Sequence, residues 1–236
     1  ITGSTFTLCN RDGLSDMGSI RMGKTNGGGE LHLTDVDIID SSYNAIYALD
    51  VNALSMEDVR VSSSALTGRQ DGAVFTMPAT ESTDTVDIND LVVSAKYTDG
   101  LMHLNAKDSY SLTNIDLQDL NDQGIIMIAG GSGASTPGPY GLDATIEDVR
   151  VRGSVAEALK IVSSSPGTMT NVNLGDAGGG LIFEQAVTMA SAARYDGITA
   201  PLIRFTASTG WDAYFTDVTL YNKDGTDSSI TVTGAS

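Results

Sequence analysis

The sequence predicts an all-β solenoid, one elongated domain over residues 1–236 wound from about eight to nine coils. Three observations carry the prediction. The pentapeptide EDVRV stands at residues 57–61 and again at 147–151, shorter relatives of it recur along the chain, and no stretch shows the 3.6-residue spacing of an amphipathic helix.

The recurring element is six residues long: apolar, polar, Asp or Asn, apolar, any residue, apolar. In chain order it is LTDVDI at 33, MEDVRV at 56, INDLVV at 88, LTNIDL at 112, IEDVRV at 146, MTNVNL at 169 and FTDVTL at 215. The steps are 23, 32, 24, 34, 23 and 46 residues, the last being two periods with a degenerate copy near RYDGITA. Only two residues separate the apolar end of one strand from the apolar start of the next. A bend that tight favours the left-handed backbone region, which Asn and Asp tolerate best among residues with a side chain. Asp35, Asp58, Asp90, Asn114, Asp148, Asn171 and Asp217 are the expected corners.

Each step holds a second strand pattern: SIRMG at 19, AIYAL at 45, AVFTM at 73, LMHLN at 101, IIMIA at 125, ALKIV at 158, LIFEQ at 181 and LIRFT at 202. Gly72, Gly100, Gly124 and Gly180 directly precede four of these. Every coil therefore contains three short extended pieces separated by polar breaks.

On these corners and strands the chain resembles the right-handed parallel β-helix family of pectate lyases, polygalacturonases and phage tailspikes, whose short corner often carries an Asn ladder. The resemblance is one of architecture and covers about residues 4–229. It implies three parallel sheets, with Ile, Val, Leu and Met pointing inward coil after coil. A leucine-rich repeat is the alternative, given LTNIDLQDLND, but the other copies lack its consensus. In the resembling families substrate lies along one sheet between loops that grow from the coils. Here that sheet is the AIYAL set, and the long links SSSALTGRQDG at 62, PATESTDT at 78 and GGSGASTPGPYG at 130 border it.

Composition narrows the partners. Thirty acidic against 13 basic residues give a net charge of −17, which disfavours nucleic acid and anionic membrane surfaces. A single cysteine, Cys9, excludes an intrachain disulfide and reads as a small buried residue, and no apolar run of about 18 residues predicts membrane insertion. The start at Ile1 without Met predicts a mature or excised piece of a longer or multimeric protein, and the resemblance places it outside a cell, at a cell surface or on a virion.

If Ile46, Val74, Met102, Ile126, Leu159, Ile182 and Ile203 point inward, alternation sends Arg21, Tyr47, Phe75, His103, Met127, Lys160, Phe183 and Arg204 outward. Aromatic faces stack on sugars and cations pair with acidic groups, so this column predicts a ladder for a polysaccharide or cell-surface glycan. The competing reading is structural: GIIMIA and GGLIFEQ are apolar on both faces, as in a spike, adhesin or decoration protein whose outer sheet is an interface, for example of a homotrimer.

Catalysis is open. Asp71 and Asp99, with His103 and Asp122 near them, are candidate acids for glycoside hydrolysis, which needs carboxylates about 5–9.5 Å apart. Asp-Gly also simply makes turns. A lyase would take its base from Lys160, Arg204 or His103. The polygalacturonase motifs Asn-Thr-Asp, Asp-Asp, Gly-His-Gly and Arg-Ile-Lys are absent, so that activity does not carry over. No cofactor is required. Calcium on the corner carboxylates is allowed, although the bend alone explains the residue type. NRDGLSD at 10 and NKDGTDS at 222 lack the closing Glu of a calcium loop and read as turns.

Overall fold

The computed structural model describes residues 1–7, 18–22, 29–41, 43–49, 51–63, 70–76, 83–129, 143–153, 155–164, 167–188, 193–207, 213–221 and 228–234. Among these the regular structure is entirely extended. The strands are β1 (Thr2–Thr7), β2 (Gly18–Met22), β3 (Gly29–Ile39), β4 (Asn44–Ala48), β5 (Val51–Ser62) and β6 (Gln70–Thr76). There follow β7 (Thr83–Ser94), β8 (Tyr97–Leu120), β9 (Gln123–Ala129), β10 (Asp143–Gly153), β11 (Glu157–Ser164) and β12 (Thr168–Asn173). The last are β13 (Gly180–Thr188), β14 (Ala193–Ala200), β15 (Leu202–Ala207), β16 (Ala213–Thr216), β17 (Thr219–Leu220) and β18 (Ser229–Gly234).

All pairings are parallel and form two ladders. One runs β1, β3, β5, β7, β8, β10, β12, β14, then β16 with β17. The other runs β2, β4, β6, β8, β9, β11, β13, β15, β18. The long β8 belongs to both, through its first residues in the second ladder and its later ones in the first. This is the predicted parallel β-helix. The two EDVRV copies are three coils apart, since Val59 pairs with Leu91, Leu91 with Ile115 and Ile115 with Val149.

A line of left-handed corners folds the first ladder into two faces. All seven predicted residues take it, with φ between 50° and 55°. Two glycines complete the line: Gly197 (φ 65°) in the degenerate copy and Gly3 (φ 57°) in the first coil. Gly197 fits for a second reason, because a Cβ there would lie 2.9 Å from Asn171 Oδ1 in the coil below. Leu33, Val36, Met56, Val59, Ile88, Leu91, Leu112, Ile115, Ile146 and Val149 flank the corners on the inside, each no more than 1 % exposed.

The recurrent glycine before the second-ladder strands answers to space, not to φ. A Cβ at Gly124 would come 2.1 Å from the Ala158 carbonyl and 3.0 Å from Val151 Cγ1, so any side chain collides with the next coil. Gly100 is bounded in the same way by the Gly124 carbonyl and Leu117.

The interior has two characters. Near the turn into the second ladder in the early coils it is polar: Ser41, Asn44 and Tyr97 are at most 3 % exposed. Ser41 donates to the Asn44 carbonyl at 2.7 Å, and the Ala73 N–H donates to Asn44 Oδ1 at 3.0 Å. In the late coils it is aromatic, with Phe183 stacked on Phe205 (4.8 Å, 9°) and on Tyr195 (5.7 Å, 22°), while Phe215 meets Tyr195 and Phe205 edge-on.

Candidate functional site

The register corrects the expected glycan ladder. Phe75 (1 % exposed) pairs with Ile46 and with Leu101, Phe183 (0 %) pairs with Ile161 and Phe205, and Met127 (2 %) pairs with Ile161: all three point into the core. The outward column is Arg21, Tyr47, Thr76 and Met102, then, beyond a register shift between Leu101 and Leu104, Ile126, Lys160, Ile182, Arg204 and Thr231. Four expected members, Arg21, Tyr47, Lys160 and Arg204, stay outside. The slip arises where three consecutive residues are apolar (Ala73 to Phe75, Ile125 to Met127, Leu181 to Phe183), because no polar residue marks which face is which. A one-residue shift exchanges the faces completely.

Lys160 is not available to a ligand carboxylate. Its Nζ lies 2.7 Å from Glu184 and 3.2 Å from Glu157. Burial lowers its pKa, but the bonds to Glu184 and Glu157 outweigh that and hold it above the ordinary lysine value. Other cations are similarly engaged: Arg60 with Asp35, Asp37 and Asp58, Arg150 with Asp176, and Arg152 with Asp116. Ile126 and Ile182, the most apolar outward residues of this sheet, are 7 % and 2 % exposed in the isolated chain.

Asp99 is half-buried opposite Ala73, not opposite Asp71, with a register shift between Gln70 and Ala73. The side chains of Asp71 and His103 lie outside the described residues, as do Cys9 and both NxDG turns. The predicted pair therefore carries no catalytic assignment. Among the described residues no group of three or more His, Cys, Asp or Glu is placed to hold a metal ion. On the corner column Arg60 gathers three carboxylates, and Asn171 Nδ2 donates to Asp148 Oδ1 at 3.1 Å.

Among the described residues a concave feature lies on another face, the one before the corners. A cleft of about 360 Å³ is lined by Thr85 and Asp87 of β7, Ser109, Tyr110 and Ser111 of β8, and Thr145 of β10. Register puts Thr85 beside Ser109, Asp87 beside Ser111, and Ser111 beside Thr145. Strand alternation turns these short polar side chains outward and sends Val86 and Tyr110 inward. The floor is anchored from within, where the buried Tyr110 hydroxyl donates to the Leu104 carbonyl. The start of β7 is pinned by buried Thr83, whose hydroxyl lies 2.7 Å from the Asn52 carbonyl and 2.9 Å from that of Thr85.

Two of the long links seen in the sequence lead here. Residues 77–82 enter β7 and residues 130–142 enter β10, the strands on either side of β8 in the cleft. The links themselves are outside the described residues. The sequence carried the signal for this site in TDTVD, SYS and the polar start of β10, but uncharged Ser and Thr look like ordinary surface until register brings three strands together.

No family model matches the chain, and neither the curated proteins nor the solved structures contain a match to it.

Proposed function

We propose that the chain is a polysaccharide-recognising β-helix module and that it takes a neutral glycan in the cleft before the corners. The observation that carries this reading is the cleft's lining, four hydroxyls and the Asp87 carboxylate fixed on three adjacent rungs. A carboxylate accepts from a vicinal diol, and Ser and Thr hydroxyls both donate and accept, as sugar hydroxyls do. Rigid strands hold these groups at fixed spacing, so little ordering entropy is lost on binding.

Charge selects neutral over acidic glycans. Arg60, Arg150, Arg152 and Lys160 are neutralised within the protein. A net charge of −17 then opposes a polyanion. This departs from the acidic-glycan ladder that the sequence suggested.

The test is a binding screen of immobilised neutral and acidic polysaccharides with wild type, Asp87→Ala and Ser111→Tyr. A neutral polysaccharide should bind. Asp87→Ala should weaken it about tenfold to a hundredfold, the loss of a hydrogen bond to a charged group, and Ser111→Tyr should block the cleft. Retention only of acidic polysaccharides, or equal binding by all three proteins, would refute the cleft reading.

A further inference from the structure

We propose that the cleft is one end of a linear track, and that its ligand is an extended neutral polysaccharide lying along the solenoid axis and contacting the Arg194–Tyr214 pair at the far end. This rests on the cleft reading above. Register supplies the track: Asp87 pairs with Ser111, Ser111 with Thr145, Thr145 with Thr168, Thr168 with Arg194, and Arg194 with Tyr214. Each stands three residues before its corner, at Asp90, Asn114, Asp148, Asn171, Gly197 and Asp217, so all share one outward column.

Four rung steps separate Ser111 from Tyr214, about 19 Å at the usual strand spacing. A monosaccharide or disaccharide cannot bridge that distance, whereas an oligosaccharide can. The middle of the column stays hydroxylated, with Thr168 Oγ1 at 3.5 Å from Thr145 Oγ1. At the far end Tyr214 is 53 % exposed, and the Arg194 guanidinium sits 5.7 Å from its ring centroid. The cation–π contact steadies the ring, its open face suits the C–H face of a pyranose, and the guanidinium adds donors for sugar hydroxyls.

The flanking column fixes the charge class. One position before the corners stand Glu147 and Asp196, both exposed, beside the corner carboxylates of Asp148 and Asp217. A polyanion laid along the track would face these carboxylates on the rungs of Glu147, Asp196 and Asp217. A neutral chain carries no charge for these carboxylates to repel and offers them hydroxyl donors.

The experiment measures affinity by calorimetry for the disaccharide, tetrasaccharide and octasaccharide of the cello-, manno- and xylo- series, using wild type, Tyr214→Ala, Arg194→Gln and Asp87→Ala. In one series the octasaccharide should bind more tightly than the disaccharide. Tyr214→Ala should remove about three- to tenfold from the octasaccharide alone, the worth of one aromatic stacking contact. Arg194→Gln should act in the same direction, and Asp87→Ala should weaken every length. Disaccharide binding with no gain for the octasaccharide, or a gain that Tyr214→Ala leaves intact, defeats the track and spares the cleft. If no length binds in any series, the cleft reading fails and the track with it. Tyr214 is exposed on an outer face, so its truncation leaves the core intact, and circular dichroism confirms the fold of each variant.

Discussion

Between Asp40 and Tyr97 the interior beside the second-ladder turn is held by directed polar bonds, whereas between Phe183 and Phe215 it is held by ring packing. Beside that turn the early coils bury Ser41, Asn44 and Tyr97, whereas the late coils bury Phe183, Tyr195 and Phe205 with Phe215 packed against them. Both regions share the same corners and coil spacing. The difference shows that a solenoid can vary the glue between neighbouring coils without altering the path of the chain, because each coil answers only to the ones above and below it.

Truncating one member of each region tests that contrast. Phe183→Ala should cost about 3–5 kcal/mol, the usual toll for an emptied aromatic site in a packed core. Hydrogen exchange should show the loss concentrated in β11, β13, β14 and β15, and a loss spread evenly over all coils would contradict coil-by-coil coupling. Asn44→Ala is next, at about 1–3 kcal/mol, because it strips the buried Ala73 N–H of its acceptor. A denaturant midpoint unchanged by this substitution would show that the polar region contributes nothing by direction.

Alkaline pH should separate the regions further. Burial raises the Tyr97 pKa, against the Ser41 hydrogen bond that lowers it and with the Asp40 charge that adds to the rise. A phenol whose folded pKa lies above its unfolded value of about 10 contributes stability fully present below that pH and lost above it, by at most about 1.4 kcal/mol per pH unit. Melting followed between pH 8 and 11 should therefore decline above about pH 10, and Tyr97→Phe should flatten that decline. Lys160, also raised, adds a loss of the same sign, which Lys160→Met removes separately.

The two EDVRV arginines give the smallest effect. Arg60 faces Asp37 at 3.2 Å and Asp58 at 2.9 Å with Asp35 at 3.6 Å, while among the described residues Arg150 reaches only Asp176, at 2.7 Å. All are well exposed, so Arg60→Gln and Arg150→Gln should each cost under about 1 kcal/mol, with Arg60 the larger. In 1 M salt, where screening acts over about 3 Å, thermal melts of the two variants should converge. A gap that persists there would point to packing of the Arg60 stem instead of charge.

The corners were legible in the sequence because a left-handed residue between two inward strands narrows the choice to Asn, Asp or Gly. Asp35 through Asp217 obey that rule, and Gly197 stands in the one degenerate copy. Facing was legible in β4, β11 and β15, where Tyr47, Lys160 and Arg204 mark the outside. It failed in β6, β8, β9 and β13, where apolar runs gave no period of two, so Phe75, Met127 and Phe183 were assigned outward and Met102 inward, each to the wrong face. The cleft was not legible, because Asp87, Ser111 and Thr145 are 24 and 34 residues apart in sequence and become neighbours only through register.

The sequence by itself determined the path of the chain: all-β coils, their number, and the residue at seven of the corners. These follow from backbone sterics within a few consecutive residues. Only the tertiary structure decided which side chains share a face across coils, where Arg60 and Arg150 find their carboxylates, and which hydroxyls line a common cleft. Those outcomes depend on the register between strands, which is set by packing of the whole stack and leaves no trace where both faces of a strand are apolar or both are small and polar.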